Sequence, residues 1–162
     1  MSAPIRTSPV HEALAALDPQ WQVVKDMQVA ARLAGDEAIP LQAVALADLS
    51  CLDRVGLKGP AAVQWLQTLG VEVPVRPNAW CALPGGGAIA RLGRTEFFLE
   101  DGLQGDTVAR VRAALGAGAA DVVPVIRQDA ALALTGRRVN ELLVQVCSVN
   151  FDGSGISSAV TS

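Results

Sequence analysis

The sequence predicts an α+β domain, with antiparallel sheets, helices packed on them, and two related β-α halves. Three observations carry this. Short stretches with period-two alternation recur along the chain, apolar stripes at helical spacing lie between them, and one strand–turn–helix pattern occurs twice.

The chain has 162 residues, of which 51% are hydrophobic, so one domain, residues 1–162, can bury a real core. Disorder needs low hydrophobicity and high net charge, and the net charge is only −3. The basic residues are scattered, so no nucleic-acid footprint shows. Cys51, Cys81 and Cys147 are odd in number and far apart, which argues against a disulfide framework and for a reducing, cytoplasmic setting. After Arg6 no apolar run follows, since His11, Glu12 and Asp18 interrupt it, and no secretory signal is expected. The longest weakly polar stretch, 113–126, is broken by Gly116, Gly118, Asp121 and Pro124, so no membrane span is expected.

Taken in order, Ser8-Pro9 opens a short helix through Leu17, with Ser8 as N-cap, and Asp18-Pro19 ends it. Val23, Met27, Val29, Ala31 and Leu33 alternate with polar residues as in one strand, and Gly35-Asp36 turns the chain. Residues 40–46 are ambiguous. Arg54 to Lys58 reads as a strand, and Gly59-Pro60 as a turn. Ala62, Trp65, Leu66 and Leu69 form a helix stripe that Gly70 stops. Residues 71–75 are short and extended. Trp80–Leu83 and Ala88–Leu92 flank Pro84-Gly85-Gly86-Gly87 as a hairpin, and Glu96–Glu100 is a further strand. Asp106 caps a helix carrying Val108, Val111 and Leu115, and Gly116 ends it. Val122–Ile126 is extended. Ala131–Leu134 is a strand, Gly136 a turn, and Val139, Leu142, Leu143 and Val146 a helix stripe.

Aligning Gly136 on Gly59 places Leu132 on Val55, Leu134 on Leu57, and the second stripe on the first without a gap. Two copies of one β-turn-α unit would explain this; so would the general look of any strand–turn–helix unit. The duplication predicts Val55, Leu57, Trp65, Leu66, Leu69, Leu132, Leu134, Leu142 and Leu143 in one core.

Several chemistries find little support. His11 is the single histidine, so a nucleophilic triad would have to use it; a surface position is expected. Zinc needs about four clustered ligands, and three dispersed cysteines read as small core residues. No P-loop pattern exists. Gly116-Ala-Gly118 lacks a third glycine and follows a helix, unlike a dinucleotide fingerprint. Gly85-Gly86-Gly87 could approach a phosphate, but a hairpin tip is the expectation. Trp65 belongs to the core. Trp80 could stack on a planar ligand, but packing is expected. Arg137-Arg138 opens a helix against its dipole, which calls for an anionic partner, a nearby carboxylate or plain solvation.

The stretch Ala47-Asp48-Leu49-Ser50 through Gly59-Pro60-Ala61-Ala62 resembles the "DLS…GP-x-A" segment of the glycine-cleavage T-protein superfamily, whose fold is a folate-binding domain. Trp65-Leu66 is similar to that family's "FLQ" helix, and Asp129 to Gly136 to its "LALQGP" turn. Pro74-Val75-Arg76-Pro77-Asn78 and Leu92-Gly93-Arg94-Thr95-Glu96 resemble the gamma subunit of heterotetrameric sarcosine oxidase. T-proteins follow their Gly-Gly loop with two aspartates; here Gly86-Gly87 precede Ala88-Ile89-Ala90-Arg91. The family's carboxy-terminal barrel and the Lys-Gly-Cys-Tyr motif of its iron–sulfur-linked members do not occur, and Ser157–Ser162 looks like the start of a strand that family members continue.

The resemblance implies a non-catalytic gamma-type subunit, with flavin and folate chemistry on larger partner subunits. Tetrahydrofolate is the ligand it admits, with no cofactor bound tightly. The alternatives are a stand-alone folate-binding or aminomethyltransferase-like protein, and an interaction module. Residues near Trp80, Arg91 and Arg94 are the candidate ligand or interface positions. Partners are larger subunits or a second copy, not nucleic acid or membrane.

Overall fold

The computed structural model describes residues 6–33, 43–127 and 129–148. The chain divides into two compact units, one of Leu52–Asp129 and one of Met1–Cys51 with Ala130–Ser162. The fold is α+β. In order, the elements are β1 (Arg6–Thr7), α1 (His11–Ala15), β2 (Gln20–Val24), β3 (Met27–Arg32), β4 (Ala45–Asp48), β5 (Arg54–Lys58), α2 (Ala62–Thr68), β6 (Ala79–Leu83), β7 (Gly87–Arg91), β8 (Glu96–Glu100), α3 (Thr107–Gly116), β9 (Val123–Val125), β10 (Leu132–Thr135) and α4 (Val139–Val146). Among the described residues, no helix is long and apolar enough to cross a membrane.

The central unit, Leu52–Asp129, is a five-stranded sheet in the order β6-β7-β8-β5-β9, antiparallel throughout. Alternation puts Val55 and Leu57 of β5, Ile89 of β7, and Phe97 and Leu99 of β8 on one face. Ala62 and Leu66 of α2 and Val108 and Val111 of α3 join them in one buried cluster. Helix α2 ends as its glycine predicts. Gly70 sits at φ +73°, its N–H donates to the Gln67 carbonyl, and that of Val71 donates to Leu66. This is a Schellman closure, with Leu66 and Val71 in apolar contact distance of the same core.

Helix α3 begins where expected but is capped from elsewhere. Asp106 occupies the N-cap position without a side-chain cap bond. The buried Asp101 carboxylate, just past β8, accepts the Val108 N–H at 2.8 Å instead. Asp106 is exposed and turns to Arg110, 3.5 Å away.

In the other unit, β2 and β3 form a hairpin where the alternation predicted one strand. Lys25, at φ +57°, and Asp26 make the turn between the paired Val24 and Met27. A two-residue turn leaves the period-two pattern nearly undisturbed, so alternation alone could not reveal it. β1 joins β3 in the sheet order β1-β3-β2, and β10 pairs antiparallel with β4. Helix α1 starts later than Ser8-Pro9 indicated. Ser8 Oγ accepts the Val10 N–H at 3.2 Å, and its carbonyl accepts that of His11, a turn preceding the helix. The predicted turn at Gly35-Asp36 and the expected strand start at Ser157–Ser162 lie outside the described residues.

The repeat is present, with a crossed partnership. Lys58, Leu57 and Gly56 of β5 pair with Val123, Pro124 and Val125 of β9. Thr135, Leu134 and Ala133 of β10 pair in the same register with Ala45, Leu46 and Ala47 of β4. Each copy therefore reads strand, strand, helix, and its first strand pairs with the second strand of the other copy. The two turn glycines are in the same situation. A Cβ at Gly59 (φ +152°) would collide with the Asp121 carbonyl, and one at Gly136 (φ +124°) with the Ala43 carbonyl.

The expectation of one shared core is corrected. Val55, Leu57 and Leu66 are in the buried cluster, with Trp65 and Leu69 only partly buried against it. Leu132 and Leu134 are 47% and 36% exposed, and Leu142 and Leu143 are half-buried. The difference is one of neighbours: β5 lies between two strands, whereas β10 has one strand partner among the described residues.

Candidate functional site

The face of the five-stranded sheet turned away from α2 and α3 carries the side chains that the core does not use. Across it runs one lateral row: Trp80 opposite Ala90, Ala90 opposite Phe98, Phe98 opposite Gly56, and Gly56 opposite Val125. Trp80 is 71% exposed, so the expected packing does not occur. It sits on the edge strand, and its cross-strand neighbour is only alanine. Phe98 is half-buried beneath the Arg127 guanidinium, 5.7 Å from its ring centroid, and Arg127 also pairs with Glu96 at 3.4 Å. In the next row Ala88 faces Glu100, and Glu100 faces Arg54. The buried Arg54 guanidinium donates to Glu100 and, at 2.8 Å, to the Asp129 carbonyl.

The three residues singled out in the sequence come to one end of the β6–β7 hairpin. Ala79, next to Trp80, is the register partner of Arg91. Arg91 is the hub. Its guanidinium donates to the carbonyls of Pro74 (3.1 Å), Val75 (2.7 Å), Gly93 (3.3 Å) and Arg94 (2.7 Å), and lies 5.5 Å from the Phe97 ring centroid. It therefore clamps the segment before β6 to the turn after β7. Arg94 is exposed and contributes its carbonyl to the clamp. Sequence reasoning missed Phe98, which could have been found from its alternation with Phe97 and Leu99.

No nucleophile is poised here. Burial pushes the Cys81 thiol above its ordinary value, and Glu72 adds to the shift. The thiol donates to the Glu72 carbonyl at 3.6 Å, so it stays protonated at neutral pH. His11 is half-buried and stacks on Trp21, ring centroids 4.4 Å apart. Cys51 is buried, and Cys81 and Cys147 are half-buried free thiols. The glycines after Pro84 form the hairpin tip, which lies backbone against backbone on Gly102 and Gly105. Arg138, at the start of α4, has its carboxylate in Glu141, 2.7 Å away. Among the described residues, no group of three His, Cys, Asp or Glu side chains could hold a metal. The surface carries an exposed aromatic, a strip of small residues and two carboxylates, Glu96 and Glu100, each paired with an arginine.

Solved structures share this fold. Glycine cleavage system aminomethyltransferase T from Bartonella henselae superposes with a TM-score of 0.68 at 16% identity, over 87% of this chain and 43% of that one. Heterotetrameric sarcosine oxidase from Corynebacterium sp. U-96, in complex with pyrrole 2-carboxylate, superposes with a TM-score of 0.57 at 22% identity, over 89% of this chain and 68% of that one. The chain thus spans less than half the length of the aminomethyltransferase. At these identities the likeness establishes the T-protein-like fold expected from the sequence. The sequence matches no protein-family model and no curated protein.

Proposed function

We propose that this chain is a non-catalytic, gamma-type subunit of a sarcosine-oxidase-like complex in one-carbon and methylated-amine metabolism. The observation that carries the reading is on β7. Where T-proteins follow Gly-Gly with aspartates, this strand has Ala88-Ile89-Ala90-Arg91, and the Arg91 guanidinium is held by four backbone carbonyls. Transfer chemistry needs a group placed where charge develops, and neither alanine nor a committed guanidinium supplies a carboxylate.

The sarcosine oxidase likeness supports the subunit role. The superposition takes in 68% of one chain of that heterotetrameric enzyme. In this reading residues 1–162 act as one T-protein-like domain in the cytoplasm. Flavin and folate chemistry resides on larger partners. Tetrahydrofolate is admitted by the fold but not bound tightly. Trp80, Arg91 and Arg94 mark the rim of the interaction surface.

The test is recovery of partners from native cells with the tagged chain. A large flavoprotein should co-purify. A clean monomer in sedimentation with no such partner, or tight binding in a tetrahydrofolate titration of the pure chain, would overturn the reading.

A further inference from the structure

We infer that the free edge of β6 is a docking site for an acidic, extended segment of a partner protein, which adds to the sheet as a strand and sets its carboxylates against Arg76 and Arg94. The inference rests on the subunit reading for the existence of a partner, and names the chemistry by which that partner is recognised.

The sheet order leaves two edges, β6 and β9. β9 is three residues long with Pro124 at its centre, which has no N–H to donate, so that edge is blunted. β6 has five residues without proline, and among the described residues its ladder runs only to β7. Val75 ahead of it and Trp80 within it are largely exposed, apolar anchors of the kind that strand addition uses alongside main-chain hydrogen bonds.

Charge decides the occupant. Residues 73–95 contain Arg76, Arg91 and Arg94 and no Asp or Glu, in a chain whose net charge is −3. The Arg91 clamp on Pro74, Val75 and Arg94 holds the two loops bearing Arg76 and Arg94 at the same end of β6. Arg76 and Arg94 are both exposed and, among the described residues, neither forms an ion pair. A carboxylate-bearing strand satisfies both cations while its backbone pairs with β6. Such rim charges act chiefly on orientation and association rate. A second copy is the poorer occupant. It would bring the same three arginines to the pairing, and its carboxylate near β6, that of Glu72, lies toward Cys81 at the middle of the strand rather than at the end that carries Arg76 and Arg94.

The experiment titrates the isotope-labelled full chain with a short capped peptide alternating Glu and Val, and with the matched peptide alternating Lys and Val. The Glu peptide should shift the amide signals of Ala79–Leu83 and slow their exchange. Binding should weaken about tenfold or more in the Arg76→Glu/Arg94→Glu variant, and should also weaken as salt rises. Both positions are exposed, so the variant should melt with the parent. Equal binding of the Lys peptide, unchanged affinity in the variant, shifts confined to other elements, or β6 protection that grows with protein concentration alone would each overturn the inference. Failure to recover a flavoprotein from cells would instead defeat the subunit reading and leave the peptide result standing.

Discussion

At Gly59 a methyl group has nowhere to go. The backbone is at φ +152°, and the Asp121 carbonyl occupies the space where a Cβ would be. Gly59→Ala should therefore lose at least the roughly 1–3 kcal/mol of backbone strain, with the displacement of β9 from β5 in addition. Chemical denaturation gives the number; a loss within about 0.5 kcal/mol, typical of a neutral surface change, would mean that the β5–β9 approach is wrong. Cys81 offers a second residue-scale check. Its thiol is shifted upward, first by burial and then by Glu72, so less thiolate is present at neutral pH than in a free cysteine. Alkylation of Cys81 should be slow there and should accelerate only at pH above the ordinary thiol range, read by peptide mass mapping.

Among the elements, α3 depends on a residue outside itself. Asp101→Ala removes the acceptor of the Val108 N–H, and loss of such a cap costs about 0.5–2 kcal/mol. Asp106→Ala should cost less, because Asp106 makes no cap bond. Equal losses would return the cap to Asp106. The two copies of the strand–turn–helix unit differ similarly. Leu66 is fully buried on α2, and Leu66→Ala should cost about 2–5 kcal/mol. Leu143 holds the corresponding position on α4, 77 residues further on, and both it and its stripe neighbour Leu142 are half-buried. Leu142→Ala should cost distinctly less. Comparable midpoints for the two variants would contradict the difference in burial.

For the whole molecule, the prediction concerns chemistry. The purified chain should turn over neither methylenetetrahydrofolate nor sarcosine, because β7 carries Ala90 and Arg91 and because Glu96 and Glu100 are already paired with Arg127 and Arg54. Steady-state assays at high enzyme concentration check this, and turnover that follows the protein through purification would refute it. The candidate site was only partly legible beforehand. Trp80, Arg91 and Arg94 could be singled out as a group, but nothing local told the exposed cation from the committed one. Arg91 is held by carbonyls from both sides of the hairpin, a contact made between segments 16 and 17 positions apart.

Alternation, stripe spacing and turn glycines lie within a few residues of one another, so the sequence by itself determined β5 to β8, the α2 closure at Gly70, and the second copy at β10 and α4. The β2–β3 turn escaped because Lys25-Asp26 interrupts the alternation too briefly to register. What only the tertiary structure decided is what each element meets. Leu57 and Leu134 occupy equivalent register positions, yet one is wholly buried and the other 36% exposed. The crossed pairing of β4 with β10 and β9 with β5, the cap that Asp101 lends to α3, and the exposure of Trp80 beside an alanine are likewise relations between distant segments. Burial depends on the neighbours that the fold brings up, and a residue's own surroundings in sequence do not contain them.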